Sequence, residues 1–393
     1  MMRLKHTLLI CLTILCLGNI AGCSGKPSTD ATTKNNQTAA KLNPKAVVVN
    51  PFTGTELYSY SPEQEALGII TVTSTDNLGA DNVVFTGKLS NIPNQIPFAY
   101  TTYAPQVSVQ LHQDGSDQML RTFNSLGSIA GSGGEQAIAF PEVTYGDYSL
   151  DSHLYVGNLD NVGFSTSVYE LKDYLNQWVI DPLFVETLDG QPSGVWYTTS
   201  GWGVGGPGMF FPVTRGLYYF DTASANVKEY LGDDQSLQGL SPDRTMAGSI
   251  PTSSYLDHDM TITNLVTHWM LRFPLRATSD QGSGLVTFAQ DNQHAAWLEV
   301  GTSPYDEYEY TYVVRVGSLA AGEIEFEIDE NAVAQALQFS DLDSIQPVGW
   351  LDSNTLLIQA RGLDWNDARI ANLNLEDHSL VEFCRGSFIG FIY

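Results

Sequence analysis

Leu240–Ile250 reads LSPDRTMAGSI: a large apolar residue, a Ser-Pro-Asp corner, then small and apolar side chains. Proline presets φ at the first corner of a tight turn, and an aspartate beside it accepts hydrogen bonds from backbone N–H groups two residues on. The same layout returns in FAQDNQHAAWLEVG (288–301) and GWLDSNTLLIQARG (349–362), and more loosely in IPNQIPFAYTTY (92–103), SGGEQAIAFPEV (132–143) and LDGQPSGVWYTTSG (188–201). A catalytic loop would not recur in this way, whereas a structural turn would. Small residues such as Ala247, Ala295 and Ala296 follow the turn, where they allow sheets to approach closely.

Each copy is followed by a second pair of alternating runs. These are VSVQLHQDGSDQMLRTF, HLYVGNLDNVGFSTSVYEL, GLYYFDTASANVKEYL, MTITNLVTHWMLRFPL, YVVRVGSLAAGEIEFEI and RIANLNLEDHSLVEF. A turn, a strand and a hairpin repeating at roughly 40 to 60 residues is the size of one four-stranded propeller blade. The only stretches with helical character are STSVYELKDYLNQWV and NAVAQALQF, both read as connectors. The fold expected is all-β, a β-propeller of four-stranded blades. AVVVNPFTGTELYSYS near the start resembles a further outer hairpin, and SFIGFIY at the end is a strand-like run with no neighbour to pair with. A ring must hide its edges, so seven blades are expected, the last completed from both termini, with six as the alternative.

Ser241-Pro242-Asp243 with Ala247, and LYYFDTASANVKEYL after it, resemble the repeats of TolB-type bacterial β-propellers, which run f-S-P-D-G-k and then l-y-v-x-D-x-x-s-G. The chain departs from that pattern by carrying Arg244, Asn292 and Ser353 near the position of the glycine. The resemblance implies a WD-repeat-like propeller.

Composition narrows the partners. Acidic residues outnumber basic ones 44 to 18, giving a net charge of −26. A field of that sign repels phosphate backbones, so no nucleic-acid partner is expected. The N-terminus supplies Arg3 and Lys5, a short apolar run, and Ile20-Ala21-Gly22-Cys23. That run is short for a membrane span and has the flanks of an export signal. The final four residues resemble a bacterial lipobox. Residues 1–22 are expected to be a lipoprotein signal peptide and Cys23 the lipidation site. Residues 23–44, poor in large apolar side chains, read as a flexible tether, and 45–393 as the propeller. The protein is then a lipid-anchored monomer on the extracytoplasmic side of the cell membrane or outer membrane. Only Cys384 is left in the body, and a small buried residue on a strand is the role expected of it.

No enzyme motif emerges. Gly201, Gly203 and Gly206 have G-x-G-x-x-G spacing, but Pro207 and a strand follow where dinucleotide binding needs a helix. There is no G-x-S-x-G nucleophile elbow, and because the sequence ends within its repeats no hydrolase domain like those some propellers carry is expected. His153, His258, His268, His294 and His378 lack metal-ligand spacing, so neither metal nor cofactor is expected. Asp147, Asp151, Asp306, Glu307 and Glu309 form acidic stretches that read as a solvated rim; an enzyme acting on glycans through such carboxylates is the alternative. The binding candidates are aromatics around two long loops: Trp196, Tyr197, Trp202 and Phe210 (with Phe211 beside it) near TTSGWGVGGPGMFF, and Tyr305 and Tyr308 in GTSPYDEYEYTY. Such side chains stack on sugars or anchor proteins. The function expected is a non-catalytic binding or assembly module at the cell envelope, with a protein or glycan partner.

Overall fold

The computed structural model describes residues 44–52, 55–72, 78, 83–85, 98–102, 108–113, 115–122, 128–133, 136–145, 149–159, 169–174, 178–201, 210–253, 256–276, 281–302, 310–364 and 366–393. All of them fall within one unit, Lys41–Tyr393. The leader, Cys23 and the tether up to residue 43 lie outside the described residues.

The alternating runs form seven four-stranded antiparallel sheets, the blades of a propeller. From the innermost strand outward, blade 2 holds Val83–Phe85, Phe98–Thr102, Ser108–Gln113 and Ser116–Thr122. Blade 3 holds Ala130–Gly131, Ala137–Tyr145, Ser149–Asn158 and Tyr169–Tyr174; blade 4 holds Val179–Leu188, Gln191–Ser200, Thr214–Asp221 and Asn226–Leu231. Blade 5 holds Gln235–Leu240, Met246–Pro251, Met260–Asn264 and Met270–Phe273; blade 6 holds Gln281–Phe288, His294–Thr302, Tyr310–Ser318 and Glu323–Asp329. Blade 7 holds Leu342–Trp350, Thr355–Gly362, Ala368–Asn374 and Leu380–Arg385.

Blade 1 closes the ring. Its innermost strand is the C-terminal Ser387–Ile392, paired antiparallel with Ala46–Asn50 in the register Val48↔Gly390, and Glu56–Tyr60 and Ala66–Thr71 lie outside them. Lys45 N–H also donates to Ile392 C=O at 2.7 Å. The expected seven blades and closure from both termini are therefore observed. Ala46–Asn50 and Glu56–Tyr60 differ from expectation in one respect: they are the middle pair of their blade, not its outer hairpin.

Packing follows from stacking sheets face to face around an axis. Both faces of a blade are covered, so a strand such as AVVVN is buried along its whole length rather than at alternate positions. Ala46 and Val48 face blade 2, while Val47 and Val49 face blade 7. Seven hydrophobic clusters of buried described residues each fill one blade-to-blade interface. The largest fully buried side chains, Trp297 and Trp350, lie in the 5–6 and 6–7 interfaces. Close approach needs small residues: a Cβ on Gly239 of blade 5 would stand 2.0 Å from the Val286 carbonyl oxygen of blade 6. Ala247, Ala295 and Ala296 are fully buried, as the repeat pattern predicts.

The Ser-Pro-Asp stretch is the turn between the first and second strands of blade 5. Asp243 Oδ1 accepts from Thr245 N–H at 3.0 Å, two residues on, and Ser241 Oγ accepts from Met246 N–H at 2.9 Å. Arg244 N–H closes the turn on Ser241 C=O at 2.8 Å, with φ of 57°. Asn292 takes φ of 55° at the matching turn of blade 6. Arg244 and Asn292 thus adopt the left-handed conformation that glycine supplies at lower cost.

Of the two stretches with helical character, one holds a helix, and the described core of the other is a strand. Glu330–Leu337 is helical between blades 6 and 7, capped by Asp329 accepting from Ala332 N–H at 2.9 Å and ended by Gln338 at φ of 58°. Val333 and Leu337, one turn apart, are its buried contacts. Within STSVYELKDYLNQWV, by contrast, Tyr169–Tyr174 is the outermost strand of blade 3. Tyr169 and Leu171 pack against the blade 3–4 cluster while Glu170 is exposed, so alternation at a period of two prevails over local helix propensity.

Candidate functional site

The ring has two faces. The turns joining first to second strands, and third to fourth, lie on one (the turn face). The loops joining second to third strands, and the connections between blades, lie on the other (the loop face). The innermost strands enclose the central channel, so their side chains decide what it accepts.

On the turn face the channel widens into a cavity of about 460 Å³ lined by five of the seven blades, 1 to 5. Phe388, Phe391 and Tyr393 come from the C-terminal strand and its end, Phe85 from blade 2, Phe184 from blade 4 and Leu240 from blade 5. Among the described residues blade 3 contributes only the bare backbone of Gly131 and Gly133. Phe388 and Phe391 meet edge to face at 4.9 Å, and Phe391 leans over Gly349 of blade 7, where a Cβ would collide with its ring at 2.4 Å. Burial pushes the Tyr393 phenol up to about 12, so it stays protonated as a hydrogen-bond donor at neutral pH.

Among the described residues Arg244 is the one charged side chain in this lining. Its guanidinium lies 4.2 Å from the Phe184 ring centroid and pairs with Glu186 of blade 4, Nε to Oε1 at 2.9 Å. The mouth is therefore apolar and aromatic, with its cation already neutralised.

On the loop face the described residues that flank the two long loops come together. Phe210 packs edge to face on Tyr310 at 4.9 Å and on Tyr312 at 5.5 Å, joining blade 4's loop to blade 6. Phe211 is buried against Gly284 on the innermost strand of blade 6, and Gln238 on that of blade 5 donates to Pro212 C=O at 3.1 Å. This segment thus crosses from blade 4 to blade 6 along the inner strands. Strand, not helix, follows the glycine-rich stretch, as its Pro207 predicts.

The remaining aromatic candidates part company. Trp202, Tyr305 and Tyr308 lie outside the described residues, as do Asp147, Asp306, Glu307 and Glu309. Trp196 and Tyr197 sit in the second strand of blade 4, 7% and 2% exposed. The Trp196 indole N–H donates to Glu186 Oε1 at 3.0 Å, so the carboxylate that neutralises Arg244 also holds this ring. Trp196 is an interior residue of the blade 4–5 interface, not a loop anchor. Asp151 is on the third strand of blade 3, opposite Thr144, rather than in a loop. The channel-mouth residues went unrecognised in sequence because SFIGFIY reads only as an unpaired strand; its aromatic spacing, Phe388, Phe391, Tyr393, was the available signal.

Other polar groups serve the fold. Glu299 and Arg315 form a buried pair in blade 6, Oε1 to an η nitrogen at 2.6 Å, with Arg315 also on Glu327 at 2.7 Å and the Trp297 indole on Glu299 at 3.3 Å. His294 bonds Ser353 C=O at 3.1 Å and approaches Glu325 at 3.0 Å. His378 packs on Phe326, with ring centroids 4.7 Å apart. Among the described residues no group of three or more His, Cys, Asp or Glu side chains is arranged to hold a metal ion.

No protein-family model matches the chain, and no curated protein matches it in sequence. Solved structures do. A structural and mechanistic study of two prolyl endopeptidases supplies one, at TM-score 0.53 and 7% identity, covering 88% of this chain and 51% of that one. A puromycin-hydrolyzing peptidase of Mycobacterium tuberculosis has TM-score 0.50 and 10% identity, covering 89% and 55%. TolB from Acinetobacter baumannii has TM-score 0.41 and 15% identity, covering 72% and 62%. The chain thus spans less than two thirds of each of these proteins, and at such identities the likeness is one of fold. The chain is a seven-bladed β-propeller.

Proposed function

We propose that this protein is a non-catalytic binding module of the bacterial cell envelope, tethered by a lipid on Cys23, which takes an apolar or aromatic segment of a protein partner into the turn-face mouth of its channel. The observation that carries the reading is the lining of that mouth. Five blades converge on about 460 Å³ walled by Phe85, Phe184, Leu240, Phe388, Phe391 and Tyr393. Concave apolar sites with a few polar groups are where proteins bind ligands, and buried aromatic anchors carry most of the free energy at interfaces. The polar groups here, the Tyr393 hydroxyl and the Arg244–Glu186 pair, would orient a peptide backbone. The envelope assignment rests on the lipobox-like Ile20-Ala21-Gly22-Cys23 and on the TolB-type repeat pattern.

Peptides selected from a displayed library against the full chain test the reading. They should share an apolar or aromatic core and lose at least tenfold in affinity to Phe388→Asp, which places a charge in the mouth. Selected peptides that are uniformly charged, or that bind Phe388→Asp unchanged, would contradict it. A radiolabel pulse should also show a diacylglycerol-modified product that Cys23→Ala abolishes.

A further inference from the structure

A second cavity lies away from the channel, in the cleft between blades 3 and 4 near the loop face, and it holds a cation that has no counter-ion among the described residues. Its volume is about 260 Å³. The floor is Tyr197 and Thr199 on the second strand of blade 4; Arg215 and Tyr218 come from the third strand, Trp178 from the approach to the first, and Asp233 from the connection to blade 5.

Arg215 and Tyr218 are three residues apart, and on a regular strand they would point to opposite faces. A bulge at Gly216 changes that. Tyr218 pairs with Tyr197 and Arg215 with Thr199, so an extra residue is inserted between them. Gly216 has φ of 68°, and Thr198 Oγ1 donates to the Gly216 carbonyl at 2.7 Å, holding the bulge from beneath. Both side chains thereby face the cleft.

The guanidinium of Arg215 lies over the Trp178 ring, 4.4 Å from its centroid. Its Nε is buried without an acceptor, and among the described residues no carboxylate stands within ion-pair distance of it. In a chain of net charge −26 a half-buried guanidinium with no carboxylate beside it among the described residues is unusual. The carboxylate that shares the cavity, Asp233, accepts instead from the Tyr218 hydroxyl. Tyr218 therefore stands between a guanidinium that lacks an anion and a carboxylate able to accept a further donor.

The geometry points to a binding site for an acidic sugar, its carboxylate on Arg215 and a ring hydroxyl on Asp233. A planar guanidinium fixed by stacking is suited to a carboxylate. Asp233 demands a hydrogen-bond donor, which disfavours a simple apolar acid, and its charge disfavours a phosphate. The cavity is just below the roughly 300–1,000 Å³ of drug-sized pockets, a volume suited to one six-membered ring, with Leu171 and Val227 as an apolar wall against its C–H face. This site is independent of the channel mouth.

Calorimetric titration of the full chain, solubilised in a non-ionic detergent, tests the assignment with glucuronate, glucose, acetate, leucine and phosphate as probes. Glucuronate should bind and raise the melting temperature, while the other four bind at least tenfold more weakly. Arg215→Gln should weaken glucuronate roughly tenfold or more, the share of a charge-assisted hydrogen bond. Val227→Trp fills the cleft from an exposed position and should abolish binding while the melting temperature without ligand stays unchanged. No glucuronate binding, equal binding by Arg215→Gln or Val227→Trp, acetate or phosphate binding as tightly (a mere anion spot), or leucine binding as tightly (an amino-acid site) would each overturn the proposal. Peptide capture at the channel mouth should be unaffected by Arg215→Gln, so the two sites fail separately.

Discussion

Asn292 of blade 6 donates its side-chain N–H to Asp243 Oδ2 of blade 5 at 2.7 Å, and to Thr245 Oγ1 at 3.1 Å. Both belong to the same turn of successive repeats. The turns that shape blades 5 and 6 therefore also stitch those two blades together. The chain of contacts continues in both directions: Arg244 reaches back to Glu186 of blade 4, and His294 reaches forward to Ser353 C=O of blade 7. The residues that replace glycine in the turn, Arg244 and Asn292, make the blade 4–5 and blade 5–6 links, and His294 makes the blade 6–7 link.

The pH dependence of this stitch follows from Asp243. Burial opposes its charge, yet hydrogen bonds from Asn292, Ser241 and Thr245 outweigh that and hold the carboxyl below the ordinary range. Its folded value is lower than its unfolded one, so its contribution is complete above about pH 4 and is lost as pH falls through the folded value. Asp243→Asn should cost about 1–3 kcal/mol at neutral pH. Urea unfolding should show that cost shrinking as the pH is lowered through the acid range; a cost independent of pH would refute the assignment.

The buried Glu299–Arg315 pair makes a different prediction. Removing Glu299 leaves the buried Arg315 with only the half-buried Glu327 at 2.7 Å as its anion, so Glu299→Gln should destabilise by about 1–3 kcal/mol. Glu299→Leu with Arg315→Met should cost less than the single change, because no charge is stranded. Chemical denaturation of both variants decides it.

Gly216 tests the bulge in blade 4. At φ of 68°, a Cβ there would approach the Tyr218 hydroxyl at 2.4 Å. Gly216→Ala should cost about 1–3 kcal/mol in backbone strain and separate Arg215 from Tyr218. A melting temperature unchanged by Gly216→Ala would show that the bulge is not required.

Cys384 should be chemically silent in the native protein. It is buried in the blade 7–1 interface, and burial, with Glu382 nearby, pushes its thiol up to about 12. The nucleophilic thiolate is then scarce at neutral pH. Thiol reagents should modify it only after denaturation, and rapid native labelling would contradict its placement.

The ring was legible in the sequence because its repeating unit is local. Ser241-Pro242-Asp243 and its copies mark turns by chemistry that needs no tertiary context, and the strands of the third-to-fourth hairpins alternate visibly. The sites were less legible. Trp196 was assigned to a loop partner because it precedes a glycine-rich stretch, but the strand extends to Ser200 and Glu186, ten residues earlier, claims its N–H. Arg215 and Tyr218 share a face only through the bulge at Gly216, which a period-two reading does not contain. Tyr169–Tyr174 could be read as helix or strand, and only its place at the edge of blade 3 chose between them.

The central functional claim is that the turn-face mouth receives an apolar segment of a protein partner. A photo-crosslinking phenylalanine derivative placed at Tyr393 of the full chain, irradiated in cells of the native host, tests it most directly. The account predicts one dominant protein adduct from that position, lost when Phe388→Asp is added. Irradiation that yields no adduct from position 393, while the same derivative at exposed Val266 does yield one, would contradict it.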